Sequence, residues 1–336
     1  MKRLATAAAF AVVGALLCHC SSDPGTPPPQ QGDSGVDGRT RPPPSAGHDL
    51  VYDEALQRVL LINAGLGAGT GPPPSQPTQI WAWNGTGWRV IDSSGPPIRS
   101  LAGVAYDRIR DVLVMHGGSY TVQVPYGDTW EWRADAGWRR IDVPGPGVLD
   151  HTQMADDPVH GQVVLYGGQH DVDSFPVDAW TFDGRQWTSV PGGGPGPRVH
   201  HAMQSHPGLG GVVLFGGFEP GAGDRGDTWL WTGAWTEIAP PRAPRTHARM
   251  AYDENRAALV LVGGGDPADE TLVLRGAGWE SLGLGGGPPP RYLAGVAFDR
   301  ARGVLVVFGG GDPSNNALRN DTWELDATGW RRVDPR

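Results

Sequence analysis

Apart from Lys2 the 336-residue chain has no lysine, and apart from Cys18 and Cys20 it has no cysteine. Beyond residue 20 there is therefore no amine for a Schiff base or a phosphate clamp, no thiol nucleophile, no cysteine metal site and no internal disulfide. Positive charge is also scarce. Without Lys2 and Arg3, 25 Arg stand against 36 Asp and Glu, a diffuse acidic balance that argues against nucleic acid as a partner. Tyr and Phe are few, seven of each, beside 14 Trp, whereas Gly and Pro make up a quarter of the chain. That load signals either disorder or a turn-rich β fold, and the abundant indoles argue against disorder throughout.

The one long apolar run, Leu4 to Leu17, follows Lys2-Arg3 and precedes Cys18-His19-Cys20. It is too short for a bilayer span, which takes about 20 residues, and suits a signal-peptide core. The segment resembles a bacterial lipoprotein signal, with Leu17 three places before Cys20, although His19 departs from the small residue usual before the lipidated Cys. The resemblance implies export, lipid on Cys20 and, with Ser21 next, an outer-membrane anchor. A simply cleaved signal, giving a secreted or periplasmic protein, is the alternative. The chain thus divides into a signal at 1–20, a Pro- and Gly-rich disordered tether at 21–46 and a folded body at 47–336. In polyproline form at ~3.1 Å per residue the tether reaches on the order of 80 Å.

Within the body a unit of 44 to 54 residues occurs six times, at about 47–92, 99–142, 149–190, 198–238, 245–282 and 291–334. Each opens with a strand ending in an aromatic-Asp pair or a relative of it, such as Tyr106-Asp107 or Phe298-Asp299. An aliphatic strand then runs into paired glycines, as at Gly117-Gly118, Gly167-Gly168, Gly216-Gly217, Gly263-Gly264 and Gly309-Gly310, with Ala64-Gly65 in the first copy. A third strand has period-two aromatics, as in Asp128-Thr129-Trp130-Glu131-Trp132. A fourth starts at a lone Trp: Trp88, Trp138, Trp187, Trp235, Trp279 or Trp330. A four-stranded antiparallel sheet with large side chains on both faces cannot bury them alone, so copies must stack, and a ring of six leaves no exposed end.

This pattern resembles the kelch family of β-propellers and implies an all-β, six-bladed fold with four antiparallel strands per blade. Copies one and five depart from it, through Ala64-Gly65 and Gln79-Ile80-Trp81 in one and Leu272 and Leu274 in the other. Because the chain enters at a first strand and leaves after a fourth, closure is expected to rest on packing between blades one and six alone, the weakest junction.

In such a sheet the hairpins joining strands one to two lie on one face, and the loops joining two to three and blade to blade lie on the other. The first set is short and repetitive, with Asp and Arg expected to satisfy the turns. The second is variable, where binding usually sits. On that variable face Arg recurs eight places before the turn Asp, at Arg99, Arg198, Arg245 and Arg291. Two places later come His151, His200 and His247, with His201 adjacent, while Leu101 and Leu293 fill the slot elsewhere. By resemblance these residues ring the mouth of the central channel, as ligand contacts or as ties between loops. No carboxylate or thiolate completes a metal set around the histidines, and neither a metal nor a cofactor is expected. The loop aromatics Tyr120, Tyr126, Phe175, Phe218 and Tyr292 offer stacking surface for a sugar or a protein. Asp171 and Asp173 lack the further acids of a Ca²⁺ loop.

The leading expectation is a monomeric, non-catalytic module recognising a protein or glycan through the variable face, with membrane contact only through the N-terminal lipid. Two alternatives remain: a cofactor-free sugar epimerase or mutarotase using Arg and acid at the channel mouth, and a structural envelope protein. Copper-radical oxidase chemistry, also hosted by kelch propellers, needs a Cys-Tyr link that the body cannot form.

Overall fold

The computed structural model describes residues 41–63, 76–120, 124–171, 173–239, 242–264, 270–276 and 278–333. The expected signal with Cys20, most of the expected tether and Ala64-Gly65 lie outside the described residues.

Six sheets, each of four consecutive antiparallel strands, form a six-bladed β-propeller. Blade two shows the plan: Gly103–Asp107, Val112–His116, Thr129–Arg133 and Gly137–Ile141. The first strands, Asp49–Asp53, Gly103–Asp107, Gln153–Asp157, Ala202–His206, Arg249–Asp253 and Gly295–Asp299, neighbour one another around the axis. In blade four the second and third strands, Gly211–Glu219 and Gly223–Trp231, extend into a long hairpin on the loop face.

Strand alternation sends side chains to both faces of every sheet, and one apolar cluster fills each of the six junctions. Between blades two and three, for example, Val112, Val114, Val163, Leu165, Phe182 and Trp187 pack together. The fourth-strand indoles reach across these junctions. Trp187 donates to Thr129 at 3.0 Å, Trp279 to Thr228 at 2.9 Å and Trp88 to Thr322 at 2.9 Å. These are alternate junctions; at the other three, the indole N–H groups of Trp138, Trp235 and Trp330 have no partner among the described residues.

The paired glycines have a specific task at the junctions. The first glycine of each pair lies against a carbonyl of the next blade, so that a Cβ on Gly117 would stand 2.1 Å from the Leu149 oxygen and one on Gly167 2.5 Å from that of Arg198. The second glycine donates its N–H to that same carbonyl, Gly118 to Leu149 at 2.8 Å and Gly168 to Arg198 at 2.9 Å. No other residue allows both the left-handed φ and the close approach.

Closure uses the same bonds, which corrects the expectation that packing alone holds blades one and six. Gly310 N–H donates to Ser45 O at 2.8 Å, Ser45 N–H to Arg319 O at 3.1 Å and the Trp83 indole to Glu324 at 2.9 Å. With the Trp88 to Thr322 bond, this junction is built like the others although no strand is exchanged across it.

On the hairpin face the turn aspartates accept backbone N–H groups three residues on, as Asp53 does from Leu56 at 2.8 Å and Asp107 from Arg110 at 2.9 Å. Asp107, Asp253 and Asp299 also pair with Arg110, Arg256 and Arg302.

Candidate functional site

The recurring arginines are turned into the blades. Arg99, Arg198 and Arg291 are at most 1% exposed. Each donates to the carbonyl of the first glycine of its own blade's pair and forks onto the Asp that precedes the third strand. Arg198 meets Gly216 O at 2.9 Å and Asp227 at 2.9 and 3.0 Å; Arg291 meets Gly309 O at 2.7 Å and Asp321 at 3.0 Å twice. Arg99 holds Gly117 O and Asp128 in the same way. Each Asp also receives the indole of the following Trp, from Trp130, Trp229 and Trp323. Burial pushes these carboxyls up, but the Arg bond, the Arg charge and the indole bond together outweigh it, and they lie below the usual range. Arg245, whose blade has Glu270 in the Asp slot, bonds the Glu270 carbonyl at 2.7 Å and its carboxylate at 3.4 Å. Blade three has Leu149 in the Arg slot, and its Asp178 takes Ser189 and Gly192 instead.

The slot two residues after each Arg forms a ring at the loop end of the axis. Gly47, Leu101, His151, His200, His247 and Leu293 all have positive φ, between 52° and 73°. For the five that are not glycine this costs on the order of 1–3 kcal/mol each, and hydrogen bonds hold the geometry. Leu101 N–H donates to Gly47 O at 2.9 Å, Gly47 to Leu293 at 3.0 Å, Leu293 to His247 at 2.9 Å and His247 to His200 at 2.8 Å. The chain of bonds passes through blades two, one, six, five and four.

Its side chains fall into two halves. Leu101 and Leu293 pack with Ala46. Opposite them, His200 stacks on His247 with centroids 3.8 Å apart and meets His151 edge-on at 4.7 Å. His151 Nδ1 lies 2.9 Å from Asp150 and His247 Nδ1 2.8 Å from the Thr246 hydroxyl. Burial lowers His247 to about 3 and holds His200 well below the usual range, with Arg249 adding to both shifts. The three histidines stand together, with His200 and His247 held neutral by burial and His151 edge-on to the pair. Among the described residues no group of three His, Cys, Asp or Glu is arranged to hold a metal ion. The neighbouring His201 is fully buried and takes no part in the stack.

Tyr120, Tyr126, Phe175, Phe218 and Tyr292 are all partly exposed on this face. Phe218 and Tyr292 flank the ring through bridges to Val199 and Gly311. The Arg99 guanidinium lies 4.0 Å over the Tyr126 ring, and His247 meets Tyr292 at 6.2 Å. Asp171 turns back on the Asp173 N–H at 3.0 Å.

Beneath the ring runs the central channel, of about 140 Å³, lined along its length by the first strands. None of the six ring residues lines it; they close its loop end. Its other end lies among the hairpins, where Arg300 bridges Glu54 and Glu254, and Arg108 pairs with Asp156 at 2.6 Å. Sequence reasoning missed three polar residues of its interior, Asp49, Gln153 and Arg249. The signal was present, since the same register position holds Gly103, Ala202 and Gly295 in the other blades.

No protein-family model matches the chain, and no curated protein matches its sequence. Among solved structures 430 chains match. One, the structure of YjhT, aligns with a TM-score of 0.63 at 12% identity, over 88% of this chain and 99% of that one. At that identity the likeness is one of fold: this chain shares its architecture with YjhT and with many other solved structures.

Proposed function

We propose that this chain is a kelch-repeat recognition module, without catalysis of its own, that binds a protein or glycan through the variable-loop face and is held to the outer membrane by lipid on Cys20. The observation that carries the reading is the set of five partly exposed aromatics, Tyr120, Tyr126, Phe175, Phe218 and Tyr292, on one face of a rigid frame. Aromatic rings on a fixed scaffold supply contact area at little entropic cost and serve equally for sugars and protein partners. Arginines whose guanidinium groups are engaged by Asp and backbone carbonyls lend no support to the epimerase alternative, which relied on them.

The test is a glycan screen and an envelope pull-down with the full-length protein, followed by the triple variant Tyr120→Ala, Phe175→Ala, Phe218→Ala. The expected result is a ligand whose affinity falls about tenfold or more in the variant at unchanged melting temperature. Binding unaffected by the triple change, or turnover of a sugar, would overturn the reading.

A further inference from the structure

The channel interior holds opposite charges that do not meet. Arg249 of blade five and Asp49 of blade one both line it, and each feels the other's charge. Among the described residues no ion pair joins them, and the Arg249 Nε and Asp49 Oδ2 are buried without a hydrogen-bond partner. Arg249 is 8% exposed, and its Nη1 donates to the Ala248 carbonyl at 3.2 Å. Gln153, from blade three, stands at the same level with its amide donating to Thr152 O at 2.8 Å. One residue further along each first strand the lining turns apolar: Leu50, Val104, Met154, Met203, Met250 and Val296.

Buried polar groups left unpaired are costly, so this arrangement selects its occupant by charge. An anion would answer Arg249 and face Asp49, a cation the reverse, and a purely apolar molecule would leave both unpaired. A zwitterion answers both at once, and the collar below the charged level suits an aliphatic side chain. The volume, about 140 Å³, compares with the roughly 150 Å³ apolar cavity that takes benzene, which sets the scale of a small molecule.

We propose that the central channel binds a small aliphatic α-amino acid, entering from the hairpin end, with its carboxylate on Arg249, its ammonium on Asp49 and its side chain in the collar of Met154, Met203 and Met250. This site is separated from the loop face by the ring of left-handed residues, so it stands or falls independently of recognition there. Burial raises the Asp49 carboxyl to about 7, and an ammonium beside it would draw that value down.

The methionines give a direct readout, because the chain has only five. Three belong to junction clusters where these meet the channel and line it, whereas Met115, in the cluster between blades one and two, does not. In full-length protein labelled at the methionine methyls, titration with L-valine is expected to shift Met154, Met203 and Met250 saturably while Met115 stays in place. Isovalerate, which lacks the ammonium, and isobutylamine, which lacks the carboxylate, are expected to bind about tenfold more weakly or worse. Asp49→Asn should bring valine down to the affinity of isovalerate. No saturable shift with valine, equal binding of isovalerate by the native protein, or unchanged valine affinity in a folded Asp49→Asn protein would each overturn the proposal. The ligand series needs no variant, so it decides the matter even if Asp49→Asn does not fold.

Discussion

The two ends of the channel are built on opposite principles. At the loop end, buried Arg-Asp clamps hold the blades' loops to their glycine turns, and a ring of left-handed residues, three histidines, two leucines and a glycine, closes the axis. At the hairpin end the turn carboxylates are buried too, but Arg300, which reaches across to Glu54 and Glu254 of two other blades, is about one-third exposed together with both partners. The same kinds of residue, Arg against Asp or Glu, serve at both ends. Burial separates a structural clamp from a solvated rim.

Cutting a clamp should have the largest effect. Arg198→Ala leaves Asp227 buried and unpaired, and is expected to cost about 3–5 kcal/mol of stability. Arg300→Ala, whose pairs are screened by solvent, is expected to cost no more than about 1 kcal/mol. Chemical denaturation of the two variants checks this, and equal losses would erase the distinction between the ends.

Acid should act next, and mainly on the loop end. Burial lowers His48 and His116 to about 4 and His247 to about 3, and holds His200 and His201 well below the usual range. In the unfolded chain these residues take up protons near pH 6.5. Between there and about pH 4 the unfolded state therefore binds more protons, and stability falls as pH falls through that window. Asp49, raised to about 7, Asp156, raised to about 6, and Asp53 and Asp224, also raised by burial, work the other way, but the five histidines, joined by the likewise lowered His206, outweigh these four carboxyls. Urea midpoints at pH 7.5 and pH 5 should show the lower stability at pH 5; a midpoint that rises on acidification would contradict this.

A smaller effect is expected within the ring itself. Leu293→Gly loses the burial of a leucine, about 1.5–3 kcal/mol, and releases a left-handed conformation of similar cost. The net loss should be near 1 kcal/mol, against the ~2–5 kcal/mol typical of removing a core leucine side chain. A loss in that larger range would mean that no strain is held in the ring.

The fold was legible because its signals repeat: paired glycines and lone tryptophans at fixed spacing can only mean sheets that stack the same way each time. Position in the repeat was equally legible for the arginines, but direction was not. A recurring Arg looks the same in sequence whether it faces a channel or a clamp. The clue was covariation within the chain. Blades two, four and six have Arg99, Arg198 and Arg291 together with Asp128, Asp227 and Asp321; blade five pairs Arg245 with Glu270; blade one has neither, with Ser45 and Gln79 in the two slots; blade three alone breaks the pairing, keeping Asp178 with Leu149 in the Arg slot. Each Arg also meets a glycine carbonyl 18 residues on. The channel's charges were hidden for the opposite reason. Asp49, Gln153 and Arg249 break the repeat rather than follow it, and a search for regularity passes over them.

The separation of a sealed loop end from an open channel can be measured by native-state hydrogen exchange on the full-length protein. If the ring seals the axis, the amides of Gly47, Leu101, His247 and Leu293 exchange only with global unfolding. Exchange of these amides as fast as exposed hairpin amides, at neutral pH and without denaturant, would contradict the account.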